Sequence, residues 1–446
     1  MSEFQKTTNR RTFLKGSTAA AAGAALVGNL SISRMAHAQG SDQIKAVLVG
    51  CGGRGNGAMN DSLTADPAVR CIAVADAFEN RARGTADRLR NSDFKDRVDL
   101  PDERVFVGLD AFEKAIGVGA DLMITATPPG FRPLVYSTAI KAGLNVFMEK
   151  PCCVDAPGFN ILQEANKMAD EKKLKVGVGF QRRHTPSYVE TVQRIHDGAI
   201  GKLMLLRAYW NGSGIWNRGR EEGMTEMQYQ VHNWYHFCWL SGDNICEQHI
   251  HNLDVCNWAI LANCGGDPKA AHPVEANGMG ACTLRYKGDK KGTGQIFDTH
   301  FVEFTYADGT KMYSQCRHMP NTWTNVGEGV HGTLGTANPA GSIEGENAWR
   351  HSGERVNAMV QEHKDLIAAI RNGTPYNEGW HGAASSMTAV LGRMATYSGK
   401  IVKWDEAVAK GTSEFPSQLA WDAPAPVVPD ENGDYPIPIP GVYEAY

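Results

Sequence analysis

Two short segments carry a lysine, a histidine and two carboxylates in an arrangement suited to proton transfer at an alcohol. The triplet Glu149-Lys150-Pro151 closes an apolar run, and Glu247 precedes His251 by four residues. On a helix this spacing puts the carboxylate and the imidazole on one face, where the carboxylate would raise the pKa of His251 and orient its ring. With the lysine ammonium, the pair could take up the proton that leaves an alcohol as a hydride leaves its carbon.

A glycine-rich turn offers a binding site for a dinucleotide. The run GCGGRG at residues 50–55 fits G-x-G-x-x-G, directly after an apolar strand-like run and before a helix-like one. The first glycine permits the tight turn, the second lets backbone amides approach a pyrophosphate, and the third lets the helix pack on the strand. We therefore expect the cofactor phosphates at the N–H groups of this turn, and the residues concerned are Gly50, Gly52, Gly53, Arg54 and Gly55.

Asp76 closes the next apolar run, 21 residues beyond Gly55. A carboxylate there would hold the hydroxyls of the adenosine ribose and would repel a 2′-phosphate. The sequence therefore predicts NAD as the cofactor, while Arg54 and Arg81 leave NADP open.

Histidine spacing also raises a metal hypothesis. His232 and His236 have i,i+4 spacing, and His249, His251 and Asp254 follow downstream. The intervening lengths match no standard zinc pattern, so we expect no metal. The ten cysteines form no C-x-x-C pair, and we interpret most of them as small buried hydrophobes in a fold that needs no disulfide.

The turn and the E-K-P triplet belong to a series of apolar runs that alternate with helix-like segments. The strand-like runs lie at 44–50, 69–76, 121–127, 145–149 and 175–180. This alternation predicts a doubly wound parallel α/β sheet of the Rossmann type. Lys150 would then stand at the carboxyl end of a strand, where open α/β sheets bind ligands.

The pattern changes after about residue 180. Alternating runs at 202–210, 279–286, 301–306 and 311–315, separated by turns, predict an α+β domain built on an antiparallel sheet. Between them, the aromatic-rich stretch 210–239 either shapes a pocket or packs as a surface loop.

The two ends of the chain differ from its middle. Arg10-Arg11 with Phe13-Leu14-Lys15, a short apolar stretch and Ala36-His37-Ala38 are typical of a twin-arginine signal peptide, which predicts export of the folded protein to the periplasm. The predicted division is a signal peptide at 1–38, a dinucleotide-binding domain at 44–180, a substrate and oligomerisation domain at 181–414, and a proline-rich extended arm at 415–446. Such an arm either hangs free or lies across a neighbouring subunit.

Composition narrows the class of protein. The 446 residues are 42% hydrophobic and 21% charged, close to ordinary globular usage, which argues against wholesale disorder. The net charge of −4, without a basic block, gives no electrostatic footprint for nucleic acid. No apolar run after the signal peptide approaches 18 residues, so we expect no integral membrane association.

Together, the glycine turn, Asp76, the E-K-P triplet and the acidic-x3-His motif resemble the glucose–fructose oxidoreductase / inositol dehydrogenase / rhizopine-catabolism (Gfo/Idh/MocA) family over about residues 44–410. The resemblance implies a Rossmann domain joined to a domain with an open antiparallel sheet, assembled as dimers or tetramers. It also implies oxidation or reduction of secondary hydroxyls of sugars and cyclitols with NAD(P).

Residue by residue, the resemblance implies that Lys150 polarises the reacting oxygen and that His251 is the acid/base. Glu247 stands where the family usually has Asp. In the segment FQRR at 180–183, either Arg182 or Arg183 would bind the substrate.

The chain departs from the family after Thr127-Pro128-Pro129, where the family often has a histidine near the nicotinamide and this chain has Arg132 nearby. We expect Arg132 to pair with Glu149, the alternative being a role in binding a carboxylate-bearing or phosphorylated substrate. Thr127, Pro128 and Glu149 would thus lie on the cofactor side of the site.

The predicted function is that of an exported NAD-dependent oxidoreductase acting on a secondary hydroxyl of a sugar or polyol. Free nicotinamide cofactor should be scarce outside the cytoplasm, so we expect the cofactor to be tightly bound and recycled within one site. One alternative is an NAD-assisted glycoside hydrolase or lyase that works by transient C3 oxidation and elimination. Another is a dehydrogenase-like binding protein without catalysis.

Overall fold

The structure, a computed structural model, describes residues 43–283 and 294–446 and contains two sheets. The first is a six-stranded parallel sheet, with the order β3-β2-β1-β4-β5-β6. Its strands are β1 (Ile44–Val49), β2 (Val69–Asp76), β3 (Val105–Val107), β4 (Leu122–Thr125), β5 (Asn145–Met148) and β6 (Val176–Val178). The helices between them are α1 (Gly53–Ala65), α2 (Glu79–Arg90), α3 (Ala111–Ile116), α4 (Arg132–Ala142) and α5 (Ala156–Glu171).

This arrangement confirms the predicted Rossmann sheet. The apolar side chains of β1, β2 and β4 are buried almost throughout, as expected for strands covered by helices on both faces. The strand order reverses between β1 and β4, and a crevice opens at the carboxyl ends of these strands. The glycine turn follows β1 directly, so the fold brings it to that crevice.

The second sheet has nine strands in the order β14-β13-β12-β11-β7-β10-β9-β8-β15. It is mostly antiparallel, as predicted, but β7 and β10 pair in parallel. Its strands are β7 (Leu203–Gly212), β8 (Pro273–Ala281), β9 (Thr299–Tyr306), β10 (Lys311–His318), β11 (Asn325–Gly332), β12 (Gly335–Asn338), β13 (Ser342–Gly345), β14 (Trp349–Arg350) and β15 (Val402–Lys403).

Helices cover one face of this sheet and connect it to the Rossmann domain. They are α6 (Pro186–His196), α7 (Glu226–His232), α8 (Cys238–Ser241), α9 (Asn244–Glu247), α10 (Ile250–Ile260), α11 (Ala358–Asn372), α12 (Gly379–Ser398) and α13 (Trp404–Lys410). Helix α12 is buried almost throughout, because it packs on β8 and β9 and also contacts α5. Helix α10 packs on β7 and β11.

The proline-rich arm packs on its own chain and does not hang free, which was one of the two alternatives that the sequence suggested. Phe415 packs edge-on against Phe131, at 5.4 Å between ring centroids, and Trp421 packs against Phe78, also at 5.4 Å. The Tyr435 ring contacts Phe237 at 5.0 Å. Aromatic side chains spaced along the arm thus attach it to both domains.

Two sequence predictions concern residues outside the described ranges. These are the signal peptide at 1–38 and residues 284–286 of the strand predicted at 279–286. Within residues 43–283 and 294–446, no helix has both the length and the apolar character that crossing a membrane requires.

Candidate active site

The glycine turn is shaped by backbone contacts on one side and by open space on the other. Gly50 has φ +94°, and a Cβ atom there would lie 2.7 Å from the backbone of Ala126. A Cβ atom on Gly55 would lie 1.9 Å from the carbonyl oxygen of Gly50. By contrast, no atom lies within 4 Å of a Cβ built on Gly52 or Gly53. The turn therefore needs its outer glycines for packing and keeps its middle free for a ligand.

Helix α1 begins at this turn without a side-chain cap, because Gly52 is its N-cap. The first N–H groups of the helix thus have no intrahelical acceptor and suit an anion. A cavity of about 330 Å³ adjoins the turn, and its Rossmann-domain lining includes Asp76, Thr127 and Pro128. Free backbone donors, a carboxylate at the next strand end and an adjoining cavity fit a dinucleotide.

The Asp76 carboxylate is fixed by the backbone. Its Oδ2 accepts a hydrogen bond from the N–H of Cys51 at 2.7 Å, and its Oδ1 accepts one from the N–H of Phe78 at 2.9 Å. Burial raises the pKa of Asp76, and these donors oppose that shift. Each oxygen keeps a second lone pair, so the carboxylate can still accept a hydrogen bond from a ribose hydroxyl.

The ion pair with Glu149 that was expected of Arg132 is made by Arg54. Arg54 Nε pairs with Glu149 Oε1 at 2.9 Å, and Arg54 Nη2 pairs with Asp61 at 2.5 Å. Arg132, which was expected to pair with Glu149, donates instead to the carbonyl oxygen of Pro151 at 2.6 Å. Burial raises the pKa of Glu149, and the charges of Arg54 and Arg132 oppose this effect. Arg54 thus connects the glycine turn to the E-K-P triplet.

Lys150 is held by Glu247. Its ammonium donates to the backbone carbonyl of Glu247 and lies 3.2 Å from Oε1 of the same residue. Both side chains are about nine-tenths buried. Because Lys150 follows β5 and Glu247 ends α9, this contact joins the Rossmann domain to the second domain.

The predicted pairing of Glu247 with His251 is wrong. The helix is interrupted here: α9 ends at Glu247 and α10 starts at Ile250. The two side chains therefore do not share a face of one helix. The pKa of His251 is lowered well below its ordinary value rather than raised. Burial is the main cause, and the charges of Lys150 and Arg182 add to it. His251 is therefore neutral near pH 7 and can accept a proton.

Aromatic rings surround the His251 imidazole. The Trp210 indole stacks on it, with ring centroids 6.1 Å apart, and the Phe180 ring meets it edge-on at 6.2 Å. The Nδ1 atom is buried without a hydrogen-bond partner among the described residues. Both rings come from the ends of segments that the sequence marked as strands.

The two neighbouring arginines have different surroundings. Arg183 makes a two-pronged ion pair with Asp254, with distances of 2.8 and 2.9 Å, and packs over the Trp258 ring. Arg182 pairs with Glu328 and is close enough to His251 to lower its pKa. The structure thus places Arg182 beside the proposed base and Arg183 in a structural contact.

The histidines of the metal hypothesis have separate partners. His236 Nε2 contacts the carbonyl oxygen of Trp216 at 2.9 Å, and His249 Nε2 contacts Ser314 Oγ at 2.7 Å. Within the described parts of the chain, no three histidine, cysteine or acidic side chains are grouped as metal ligands would be.

Of the two alternatives for the aromatic-rich stretch 210–239, the structure supports the first, because the stretch forms part of the wall of the cavity beside the glycine turn. Trp216, Arg218, Val231 and Trp234 line it opposite Asp76. All four lie in the aromatic-rich stretch 210–239, so the signal was present, but residue spacing could not show which surface the stretch covers.

Comparison with known proteins gives the family. The model described as "Oxidoreductase family, NAD-binding Rossmann fold" (GFO_IDH_MocA) matches residues 44–180. Residues 44–180 thus form an NAD-binding Rossmann domain of the GFO/IDH/MocA oxidoreductase family. A twin-arginine translocation signal matches residues 7–27, which supports export. Recognition of the family, the oxidoreductase class and NAD as cofactor are thereby confirmed.

Several relatives in this family are named for inositol oxidation. Inositol 2-dehydrogenase of Rubrobacter xylanophilus is 25% identical over 66% of this chain and 71% of its own length. The scyllo-inositol 2-dehydrogenase (NAD(+)) of Bacillus subtilis is 24% identical over 49% of this chain and 55% of its own length. The chain thus spans little more than half the length of the second relative.

Solved structures share the fold. Aldose-aldose oxidoreductase from Caulobacter crescentus has a TM-score of 0.61 at 16% identity, covering 81% of this chain and 99% of that one. A putative myo-inositol dehydrogenase from Sinorhizobium meliloti has a TM-score of 0.56 at 19% identity, with the same coverage. At this identity the likeness concerns the two-domain architecture.

Proposed function

We propose that this GFO/IDH/MocA protein is an exported NAD-dependent oxidoreductase that acts on a secondary hydroxyl of a sugar or polyol. The observation that carries the proposal is that the Lys150 ammonium, held by Glu247, lies near enough to a neutral His251 to lower its pKa. The names of the inositol dehydrogenases among its relatives agree with a polyhydroxylated substrate.

The residues of the chain divide the work as follows. The Lys150 ammonium, oriented by Glu247, donates a hydrogen bond to the reacting oxygen and stabilises negative charge on it. His251 is neutral, because burial and two nearby cations keep its pKa low, and in this form it has a free ring nitrogen that would accept the hydroxyl proton. Bound NAD supplies the acceptor for the hydride. Gly50, Gly52, Gly53, Gly55 and Asp76 would hold the cofactor, Thr127 and Pro128 would line its cavity, and Arg54 with Glu149 would support the turn.

We also propose that the cofactor stays bound between turnovers. The cavity has walls from both domains, including Trp216, Arg218 and Trp234 from the second. The arm is hydrogen-bonded to the second-domain wall. The hydroxyl of Thr225, the N-cap of α7, donates to the Trp421 carbonyl oxygen at 2.5 Å. Release of the nucleotide would require this wall to move, which suits recycling by a second substrate in the periplasm.

We propose that the protein forms a homodimer or homotetramer through the exposed face of its second sheet. Along β8 and β10, alternate side chains point away from α10 and α12. Met279, 71% exposed, and Tyr313, 38% exposed, are among them. Apolar side chains on this face of the sheet would be covered by a second copy of the chain.

The test uses the mature protein purified after export. It is denatured, and the released nucleotide is identified by mass spectrometry. The intact protein is then mixed with inositols and aldoses, and bound NADH is followed at its absorbance band. We expect stoichiometric NAD(H), reduction by one substrate and reoxidation by a second.

Three results would contradict parts of this proposal. If the purified protein carries no nucleotide and binds none when NAD is added, the proposed oxidoreductase function is wrong. Release of aglycone from a glycoside without a second sugar would select the NAD-assisted hydrolase or lyase instead. Lys150→Ala protein that turns over like wild type would remove the assigned site, while its nucleotide content serves as the folding control.

A further inference from the structure

Glu328 is a buried carboxylate that connects three elements near His251. It lies on β11, which packs against α10, and its side chain has no exposed surface. Its Oε1 accepts hydrogen bonds from Arg182 and, at 2.6 Å, from Nδ2 of Asn252. Its Oε2 accepts one from the Tyr188 hydroxyl at 3.3 Å. A buried carboxylate with this many donors is held in one geometry.

These contacts fix the surroundings of the proposed base from two sides. Asn252 follows His251 in the first turn of α10, so its bond to Glu328 ties that turn to the sheet. Arg182 lies over the Tyr188 ring, 5.8 Å from its centroid, and keeps 15% of its side chain exposed. Because Glu328 occupies one guanidinium nitrogen, the remaining N–H donors of Arg182 are available to a ligand.

We propose that Glu328 is a positioning residue that acts through Arg182. It holds the guanidinium so that Arg182 binds a second oxygen of the sugar or polyol, next to the hydroxyl that His251 deprotonates. The ligand is thus a polyhydroxylated molecule with at least two neighbouring oxygens. This inference rests on the proposed function, since it assigns a substrate contact within the same site.

A purely structural carboxylate would give a different mutational pattern from a positioning one. Glu328→Gln keeps the size of the side chain but removes the charge that orients Arg182. Losing a charge-assisted contact corresponds to roughly a 10- to 100-fold loss in kcat/KM. We expect most of it in KM, because the proton and hydride transfers use Lys150 and His251. Glu328→Asp, which keeps the charge, should recover part of the loss.

The deciding experiment is a double-mutant cycle on the nucleotide-loaded protein. Arg182→Gln, Glu328→Gln and the double variant are compared with wild type for kcat, KM and bound nucleotide. If Glu328 acts through Arg182, adding Glu328→Gln to Arg182→Gln should change kcat/KM by less than about twofold. Glu303→Gln is the matched control, because Glu303 lies on β9 of the same sheet and pairs with the exposed Lys311 at 3.0 Å.

Each outcome separates this inference from the function on which it rests. If the losses of the two single variants multiply in the double variant, the two residues act independently and this inference is overturned, while turnover by the wild type leaves the proposed function intact. An equal loss in Glu303→Gln would show a general effect on the sheet and would also overturn it. Wild-type protein that holds NAD but oxidises none of the polyols would overturn the proposed function and this inference together.

Discussion

The Trp210 indole stacks on the His251 imidazole with their planes 25° apart, and this contact places the proposed base inside an aromatic wall. An imidazole in such surroundings loses water that would stabilise its charged form, so burial is the main cause of its lowered pKa. The base is therefore neutral without a carboxylate partner. This differs from the acid–histidine pair suggested by residue spacing.

His251 governs the expected pH dependence. Its pKa in the folded protein lies well below the ordinary 6.5, so protonation should not remove the base until the pH falls far below that value. We expect kcat/KM for polyol oxidation to show no loss from this group between pH 7 and pH 6. A pH profile of kcat/KM checks this, and an acidic limb at about 6.5 that disappears in His251→Gln would contradict it.

His251→Gln itself should remove most of the activity. Loss of a general base lowers the rate by roughly 10²- to 10⁴-fold. Bound nucleotide should stay stoichiometric, because His251 is not among the residues lining the nucleotide cavity. Single-turnover reduction of bound NAD measures the first effect, and mass spectrometry of the released nucleotide measures the second. A variant that loses nucleotide as well would point to a structural role.

Glu247→Gln tests which residue the carboxylate serves. Since Glu247 contacts Lys150 and not the His251 ring, the variant should lower kcat by roughly 10- to 100-fold through misplacement of the ammonium. The acidic limb of the pH profile should stay where it is in wild type. Glu79→Gln, which breaks an exposed ion pair with Arg83, is the control and should be silent. A large shift of that limb in Glu247→Gln would show that Glu247 does act on His251, as the sequence predicted.

Trp421→Ala tests the role of the arm in holding the cofactor. An aromatic pair contributes about 0.5–1.5 kcal/mol beyond burial, so losing the contact with Phe78 should speed nucleotide release by roughly 2- to 10-fold or more. Activity with saturating added NAD should stay near that of wild type. Release is followed by exchange with labelled NAD, and Val428→Ala, at an exposed position of the same arm, is the control. If wild type, Trp421→Ala and Val428→Ala release NAD at the same rate, the arm does not help to retain the cofactor.

His184 should make stability depend on pH. Burial lowers its pKa, but hydrogen bonds to Asp365 at 2.7 Å and to Glu378 outweigh that effect and raise it to about 10. A pKa raised on folding stabilises the protein fully below the unfolded value of about 6.5, and this contribution is lost as the pH rises towards 10. His184→Gln should therefore lower Tm by roughly 5 °C at pH 6, with the difference shrinking towards pH 10. A difference in Tm that does not change with pH would contradict this.

Short runs of residues were enough to predict the parallel sheet, the glycine turn and the position of Lys150. The apolar runs predicted the parallel sheet, and the spacing of the glycines predicted a turn with a free middle, which the structure has at Gly52 and Gly53. Lys150 could be placed at a strand end because β5 finishes directly before it. Each of these inferences needed only a few consecutive residues.

Contacts between distant segments could not be read in this way. The i,i+4 argument for Glu247 and His251 assumed one helix, and the chain ends α9 and restarts at α10 between them. Glu328 lies 146 positions after Arg182, and nothing in its own neighbourhood marks it as a partner. Arg54, which lies on α1 and is far from Glu149 in the sequence, makes the ion pair that was expected of Arg132.

The order of synthesis gives the arm a further consequence. Trp421 and Phe78 lie far apart in the sequence, yet their rings pack together. During synthesis Phe78 is made well before Trp421, so this contact with the wall of the nucleotide cavity forms only after the arm has been made. We therefore expect a nucleotide to enter the cavity more easily before the arm docks, and docking of the arm would then hold it in the folded protein.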